Sequence, residues 1–382
     1  MVVRFKEAKL QSLISLRIDI VIIFTFQNLQ VKRKYILPLF LLFQILFLKV
    51  IAYFPNVVER FYSNRLYVYN SKFFRTLLGK IPFSVGDVFY TILILWILKC
   101  IWNSRKSWKT EWKNNILSVL GFVSIVYFAF HFLWALNYYR VPLFEKMNIK
   151  REYSEEDLYA FTDKLIAKTN EIQFEITKNK NLKVIITYSQ DSIFKLSQNG
   201  YDNLKKEYSF FRYENPSRKK SLFSLPLTYM GFGGYLNPFT GEAQVNDKIP
   251  MVGFPMTINH EMAHQIGYAS ESECNFIGFL ACVKNKDLYF QYSAYSNALR
   301  YCMSNIGMKN ESKFIYFKSK INTGILENYK ENELFWEEYD TIIDKGFHVF
   351  YDQFLKVNQQ KDGIESYSKF VDLLVNYYGG EL

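Results

Sequence analysis

Three long apolar runs between residues 35 and 136 dominate the pattern of hydrophobic and polar positions. They cover about residues 35–54, 83–102 and 116–136, and none contains more than two Asp, Glu, Lys or Arg residues. Because about 20 apolar residues in a helix span the hydrocarbon core of a bilayer, the pattern predicts three transmembrane helices. Aromatic residues typical of the membrane interface cluster at the ends of these runs: Tyr35, Tyr53, Trp102, Trp134, Tyr138 and Tyr139.

The remainder of the chain has the mixed polar and apolar pattern of a folded domain outside the bilayer. Ser154 precedes a stretch of helical periodicity that extends to about Ile176, and residues 182–188 (LKVIITY) have the composition of a buried strand. A stretch rich in Gly and Pro over residues 221–246 predicts short strands and turns. From Phe254 onwards the pattern is mostly helical. We therefore expect an α+β, mostly helical domain.

The distribution of charge separates the membrane part from the domain that follows it. The whole chain has a net charge of +11. Residues 1–150 contain 21 Lys and Arg against 6 Asp and Glu, a net charge of +15, so the remaining residues are net acidic. This distribution argues against a nucleic-acid-binding domain. We expect a basic N-terminal segment over residues 1–34, a membrane domain over residues 35–139 and the folded domain over residues 140–382.

Basic residues also predict the orientation of the chain in the membrane. They flank the first run on its N-terminal side and crowd the short loop between the second and third runs. The positive-inside rule places both segments in the cytoplasm, although five basic residues spread over the first loop partly oppose this orientation. Three crossings then put residues 140–382 on the extracytoplasmic side. The expected partner of the membrane domain is the lipid bilayer.

The residues that carry chemistry are concentrated in the sequence HEMAH, His260–His264. This is an H-E-x-x-H pattern. Residues four apart on a helix share a face, so His260 and His264 can direct two imidazoles at one Zn²⁺ ion. Glu261 lies next to that face, where it can accept the proton of an attacking water as a general base. Pro255 and Gly267 lie where a helix carrying the pattern would begin and end.

A catalytic zinc ion needs a third protein ligand, and two glutamates compete for that position. The extended pattern H-E-x-x-H-x-x-G-x-x-H does not apply, because Ser270 stands at the third His position. Ser270 and Glu273 match a capping box, which would give Glu273 a structural task. Glu271 is then the first helical residue and shares a face with Asn275. We favour Glu271 over Glu273 as the ligand, and Asn275 as the polar partner of a ligand imidazole.

The sequence E-x-x-C-N at Glu271–Asn275 resembles the E-x-x-[AS]-[DN] motif of gluzincin metallopeptidases, in which the Glu binds zinc and the Asp or Asn steadies a His. This chain departs from that motif in Cys274 and in the short spacer from His264 to Glu271. The chain also resembles a family of uncharacterised bacterial multi-pass membrane proteins with a domain of unknown function. That resemblance lies in three stretches: HEMAHQIGYASESECNFIGFLAC, LPLTYMGFGGYLNPFTGEAQVN and DGIESYSKFVDLL. It implies three spans in a bacterial cytoplasmic membrane and a C-terminal HExxH domain, and it supplies no substrate.

Two further parts of a peptidase site can be sought in the sequence. In zincin folds an edge strand beside the metal binds an extended peptide. Glu242–Asn246 (EAQVN), just before the HExxH pattern, is either that strand or an ordinary hairpin strand. A Tyr or His that stabilises the oxyanion is also expected. His348, Tyr351 and Tyr367 are candidates, and Tyr367 is favoured because it lies in the family-like C-terminal stretch.

These residues favour a membrane-anchored zinc metallopeptidase with a zincin-like domain. His260, His264 and Glu271 would bind Zn²⁺, and Glu261 would be the catalytic general base. The expected substrate is a peptide or protein of unknown identity. Two alternatives stay open: the same residues would also suit hydrolysis of a non-peptide amide in a lipid or cell-wall component, or the metal would be structural. A fourth protein ligand such as Cys274 would favour the structural alternative.

Overall fold

The computed structural model describes residues 34–359 and 367–379, so the predicted basic segment over residues 1–34 lies outside it except for Lys34. The described chain is mostly helical, with one small sheet. The elements before the sheet are α1 (Lys34–Ile51), α2 (Pro55–Val57), a π-helix (Val58–Leu66), α3 (Tyr67–Leu78), α4 (Val85–Ser104), α5 (Trp112–Leu133), a 3-10 helix (Ala135–Tyr139), α6 (Leu143–Lys146), α7 (Glu155–Thr177), α8 (Gln190–Glu207) and a 3-10 helix (Ser209–Phe211). The elements from the sheet onwards are β1 (Arg218–Lys220), α9 (Ser224–Tyr229), β2 (Gly234–Leu236), β3 (Ala243–Val245), α10 (Phe254–Gln265), α11 (Glu271–Val283), α12 (Leu288–Lys309), α13 (Glu311–Ser319), α14 (Thr323–Glu337), α15 (Ile342–Val357) and α16 (Tyr367–Tyr378).

Three of these helices, α1, α4 and α5, are long and apolar enough to cross a membrane. They confirm the three predicted apolar helices, with each end within four residues of the predicted position. Many of their large apolar side chains are exposed, as lipid-facing helices require. A polar pair joins α1 to α5, since Nε2 of Gln44 donates to Oγ of Ser124 over 3.0 Å. Polar pairs of this kind help to hold helices together among lipid tails.

The chain divides into two compact units, and the division differs from the predicted boundary after residue 139. One unit comprises the chain up to Tyr53 together with Leu93–Phe132, and the other comprises Phe54–Ile92 and Leu133–Leu382. The segment between α1 and α4 therefore belongs to the same unit as the C-terminal domain. The sequence pattern predicts a loop for this segment. The contacts that fix it join residues as far as 198 positions apart, so the local pattern does not reveal them.

Hydrogen bonds fix this segment, and the start of α4 that follows it, to the C-terminal domain. Oη of Tyr67 and Oγ of Ser71 donate to the carbonyl oxygen of Gln265 over 3.0 and 3.1 Å. At the first turn of α4, the amide of Gly86 donates to the carboxylate of Glu242 over 2.6 Å. A carboxylate at a helix N-terminus is favoured by the helix dipole. The first turn of α4 is thereby tied to the sheet.

An ion cluster around Glu59 joins the π-helix to the residues that follow α5. The Glu59 carboxylate lies 2.8 Å from Nη2 of Arg140 and 2.7 Å from Nζ of Lys146. Arg140 also donates to the carbonyl of Gly267, just after α10, over 2.6 Å. Burial raises the pKa of Glu59, but the hydrogen bonds and charges of the two cations outweigh burial, so its pKa lies below the ordinary value. Glu59 therefore acts as an ionised carboxylate that holds three segments together.

Helices α10 and α11 pack side by side in the unit that comprises Phe54–Ile92 and Leu133–Leu382, here called the C-terminal unit. Gly278 of α11 permits this close approach, because a Cβ there would lie only 2.9 Å from the backbone nitrogen of His260. Helices α8, α12 and α16 pack against α11, and strands β2 and β3 pack against α10. Most side chains of α10 and α11 are buried, so the HExxH pattern lies in the core of the unit.

The sheet has the order β1-β3-β2, with β3 parallel to β1 and antiparallel to β2. The suggestion that Glu242–Asn246 is an edge strand is therefore wrong. Residues Ala243–Val245 form the central strand and are all buried. The sequence indicates that a segment is β-prone, but it does not indicate how many neighbours the strand acquires. In the described sheet the strand beside the HExxH glutamate is β2, at an edge.

The predicted strand over residues 182–188 is also wrong. The amide and carbonyl of Val184 pair with the side chain of Asn328, over 2.9 and 3.1 Å, instead of with a strand. Val184 and Ile186 are buried and Ile185 between them is 64% exposed. This alternation gives the segment the period-two pattern of a strand. A strand also needs a backbone partner, and an asparagine side chain takes that place here.

Candidate metal centre

The H-E-x-x-H pattern lies in α10, which begins at Phe254 with Pro255 in its first turn. Proline is tolerated there because the first amides of a helix have no partner within the helix. One helical turn separates His260 from His264, and their ring centroids lie 4.8 Å apart. The two imidazoles therefore share a face of α10, as their spacing predicts.

Glu271 is the first residue of α11 and directs its carboxylate between the two imidazoles. Its Oε2 lies 3.1 Å from Nε2 of His260, and its Oε1 lies 3.6 Å from Nε2 of His264. The three potential ligand atoms lie within 4.8 Å of one another. Burial favours a raised pKa for Glu271, but the charges and hydrogen bonds of the imidazoles outweigh burial and hold its pKa well below the ordinary value. Two imidazole nitrogens and an ionised carboxylate form the donor set of His₂Glu zinc sites.

The opposite nitrogen of each imidazole faces a fixed oxygen. Nδ1 of His260 lies 2.8 Å from Oδ1 of Asn275, and Nδ1 of His264 lies 2.8 Å from the carbonyl oxygen of Tyr268. An Nδ1–H that donates to these oxygens leaves the Nε2 lone pair available to a metal. Asn275 therefore has the position that the sequence predicts for it. Tyr268 reaches His264 because Gly267, at φ 92°, reverses the chain at the end of α10.

Glu261 lies beside this cluster and is almost shielded from water, with 3% of its surface exposed. Burial raises the pKa of Glu261 to about 7, although the charges of the two imidazoles oppose the rise. Within the described part of the chain, its Oε2 has no hydrogen-bond partner, which is rare for a buried oxygen. A Cβ at Gly234 would lie 2.8 Å from Oε1, so a glycine in β2 leaves room for the carboxylate. A buried carboxylate with an unused acceptor atom beside a metal ligand set has the properties of a general base.

Glu273, the competing ligand, points away from the cluster. Its Oε1 accepts a hydrogen bond from the backbone amide of Leu143 over 2.6 Å, at the start of α6. Burial raises the pKa of Glu273 to about 7. The predicted capping box is wrong: Ser270 precedes α11, but its side chain makes no capping hydrogen bond and its Oγ lies 3.0 Å from Oγ of Ser272. Glu273 supports the fold through a residue 130 positions away, a contact that local sequence does not reveal.

Cys274 lies on the Nδ1 side of His264 and is not one of the converging ligand residues. Its Sγ is 3.2 Å from Nδ1 of His264 and 3.1 Å from the carbonyl oxygen of Tyr268. Burial raises the pKa of the Cys274 thiol to about 12, so the group stays protonated at neutral pH. A protonated thiol on this side of the ring does not supply a fourth ligand next to the Nε2 atoms.

Two tyrosines adjoin the cluster, and the sequence assigns only one of them to it. Oη of Tyr351, in α15, donates to Oε1 of Glu271 over 2.8 Å. Burial, followed by the negative charge of Glu271, raises the pKa of Tyr138 well above its ordinary value, and the Tyr138 ring packs on Trp134, 5.1 Å between centroids. The sequence assigns Tyr138 to the membrane interface, because aromatic residues directly after a span are typical of that region.

The remaining aromatic and imidazole candidates have other surroundings. Trp134, which the sequence also assigns to the membrane interface, packs against His264 with ring centroids 5.9 Å apart. Nε2 of His348 pairs with Oδ1 of Asp344 over 3.2 Å. Tyr367 begins α16, and its side chain lies outside the described residues. Of the oxyanion candidates whose side chains are described, Tyr351 is the one in contact with Glu271.

The fold and the site define a mostly helical protein with three apolar helices and a partly buried His-His-Glu cluster beside a second carboxylate. The chain belongs to the family described as Protein of unknown function (DUF3810), whose model matches residues 62–375. The matched region contains α4, α5 and all three residues of the cluster. No curated protein and no solved structure matches the chain. The resemblance to a family of unknown function is thus confirmed, and the geometry of the site carries the functional argument.

Proposed function

We propose that the chain is a membrane-anchored, zinc-dependent metallopeptidase. The observation that carries this proposal is the convergence of His260, His264 and Glu271, whose ligand atoms lie within 4.8 Å of one another. The adjacent Glu261 adds a buried carboxylate oxygen with no partner in the described chain. Three nitrogen and oxygen donors with a neighbouring base are the arrangement of catalytic zinc sites in H-E-x-x-H peptidases.

Each residue of the site has a defined task in this reaction. His260, His264 and Glu271 would hold Zn²⁺, which when bound supplies Lewis acidity that polarises a carbonyl and acidifies water. Glu261 would accept the proton of the attacking water at Oε2 and pass it to the leaving nitrogen of the amide. Tyr351, whose Oη donates to Glu271, would be the hydrogen-bond donor to the developing oxyanion.

A catalytic role fits the site better than a structural one. A structural zinc site is closed by four protein ligands, whereas a catalytic site has three and an open position. His260, His264 and Glu271 form a group of three. Cys274 faces Nδ1 of His264 instead of the Nε2 atoms. With three ligands from the described residues, a bound ion would have a coordination position for water and substrate.

The connectivity of the chain supports the membrane anchor. Three crossings in series would put the segment between α1 and α4 on the same side as everything after α5, and this segment does contact the C-terminal domain through Tyr67 and Ser71. Two of the five basic residues that oppose the predicted orientation are engaged by the fold: Lys72 pairs with Glu214 over 2.6 Å, and Arg75 is 4% exposed. We propose that the C-terminal domain lies on the extracytoplasmic side and that the basic loop between α4 and α5 lies in the cytoplasm.

Metal content of the purified protein tests the ligand set. We expect about one zinc per wild-type chain, with loss of the metal in His264→Ala and in Glu271→Ala. Glu273→Ala is the matched control, since it removes a buried glutamate from the same helix but not from the cluster. It should keep zinc. Absence of zinc from the wild type after zinc is supplied, or loss of zinc from Glu273→Ala alone, would overturn the assignment.

Hydrolysis of a quenched fluorescent peptide library tests the reaction. Glu261→Gln keeps the size and burial of the side chain but removes its ability to accept a proton. It should retain zinc and lose activity by about 10²- to 10⁴-fold, the usual contribution of a general base. Full activity of Glu261→Gln would contradict the role of Glu261. Absence of turnover by zinc-loaded wild-type protein on peptides would contradict the peptidase proposal.

A further inference from the structure

Helix α15 has an apolar surface that no part of the described chain covers. Its outer face consists of Ile342, Ile343, Val349, Phe350 and Val357, which are between 61% and 89% exposed. A Cβ at Gly346, on the same face, would meet no atom within 4 Å. These residues recur at the spacing of one helical face. Contiguous apolar surface of this extent marks an interaction site for a membrane or a protein.

The opposite side of α15 packs over the metal centre. Tyr351 donates its hydroxyl to Glu271 over 2.8 Å. The rings of Phe347 and Tyr351 pack against Phe232, with centroids 5.6 and 4.8 Å away. One helix therefore contacts the cluster with its inner side and presents an uncovered apolar face with its outer side.

The segment before β2 connects α15 to the start of a membrane helix. The amide of Leu222 donates to Asp87, in the first turn of α4, over 2.7 Å. Leu222 and Leu225 are themselves 58% and 50% exposed. In the same segment, Tyr229 packs against Tyr339 just before α15, with ring centroids 5.1 Å apart. The segment that carries Leu222 and Leu225 thus contacts the first turn of α4 on one side and the residues just before α15 on the other.

Two lysines on α15 match the chemistry of a lipid surface. Lys345 and Lys356 lie on one flank of the outer face, and their side chains are 73% and 44% exposed, with Lys345 3.5 Å from Asp340 and Lys356 2.7 Å from Asp352. An amphipathic helix that lies in a membrane interface combines an apolar face with flanking lysines, which approach anionic headgroups.

We propose that the outer face of α15, together with Leu222 and Leu225, lies in the interfacial region of the lipid bilayer. The candidate metal centre would then be covered by a helix in contact with lipid. This inference rests on the membrane anchoring in the proposed function and not on peptidase activity.

Quenching of a site-specific fluorophore by spin-labelled lipid tests the proposal in the full chain, reconstituted into nanodiscs of zwitterionic and anionic phospholipid. Cys100 in α4 is exposed, and the other three cysteines are buried, so one label can be placed at a time. A Cys100→Ser background receives Val349→Cys on α15. Ile315→Cys on α13 is the matched control, because Ile315 is an apolar residue of similar exposure, 59% against 66%. The native Cys100, labelled in wild-type protein, reports whether α4 is in the bilayer.

We expect spin-labelled lipid to remove about half of the fluorescence at position 349, as for a residue buried at the headgroup boundary, and to leave position 315 unchanged. Quenching at Cys100 without quenching at position 349 would overturn this inference alone, and a protein partner would then be the better occupant. Equal quenching at positions 349 and 315 would also overturn it. Absence of quenching at Cys100 would instead refute the membrane anchoring in the proposed function.

Discussion

The hydrogen bond between His260 and Asn275 allows a sharp test of how the site is organised. Oδ1 of Asn275 lies 2.8 Å from Nδ1 of His260, and the imidazole side chain is only 14% exposed. Asn275→Leu preserves the size of the side chain and removes the acceptor. The Nδ1–H would then be left without its partner, and the imidazole would be free to rotate or to change tautomer.

The expected loss of zinc affinity follows from the free-energy cost of leaving a buried hydrogen-bond donor without an acceptor. That cost is about 1–3 kcal/mol, and a factor of ten in affinity corresponds to about 1.4 kcal/mol. We therefore expect the zinc Kd of Asn275→Leu to rise by about 10- to 100-fold, the usual effect of removing an outer partner of a ligand imidazole. Asn275→Asp retains an acceptor at this position and should bind zinc about as tightly as the wild type.

Competition with a chromophoric zinc chelator measures these affinities in purified, detergent-solubilised protein. Asn305→Leu is the control for a general effect on folding, because Asn305 is buried on α12, outside the cluster. Its zinc affinity should equal that of the wild type. Equal zinc affinity in Asn275→Leu and wild type would refute the argument that Asn275 orients a ligand. A parallel loss of affinity in Asn305→Leu would show that the effect is not specific to the site.

Three further predictions concern stability. Gly278→Ala should lower the free energy of unfolding by about 1–3 kcal/mol by overpacking, because its Cβ would lie 2.9 Å from the His260 amide nitrogen. In Gly346→Ala the new Cβ meets no atom within 4 Å, so the free energy of unfolding should rise by up to about 1 kcal/mol. Equal Tm changes in the two variants would contradict this reasoning. Chelation of zinc should lower the Tm, by an amount equivalent to about 2.7 kcal/mol if zinc was present at about 100 times its Kd, and an unchanged Tm would argue against a bound metal. The pKa of folded Glu59 lies below the ordinary 4.5, so its contribution to stability is complete above that value and is lost as the pH falls through the folded pKa. The Tm of the wild type should therefore fall more steeply than that of Glu59→Gln in acid, and parallel pH profiles would refute the role of this ion cluster.

The sequence alone determined the features that depend on local spacing and composition. Apolar runs of about 20 residues predict membrane helices because length and hydrophobicity suffice for a span. The i, i+4 spacing of His260 and His264 places both imidazoles on one face wherever that helix lies. The one-turn offset from Glu271 to Asn275 follows from the same periodicity. These statements require no knowledge of a distant partner.

Only the tertiary structure decided which residues meet across long separations. Glu273 is two positions from Glu271, yet it faces Leu143 because α6 packs against that side of α11. Residues 243–245 form a central strand because β1 and β2 pair with both of their edges, and residues 182–188 form no strand because a side chain takes the place of a partner. The segment between α1 and α4 joins the C-terminal unit through hydrogen bonds from Tyr67 and Ser71 to Gln265, 198 and 194 positions away. Local sequence sets the shape and polarity of each element, whereas long-range packing selects the partner, since many pairings bury similar apolar area.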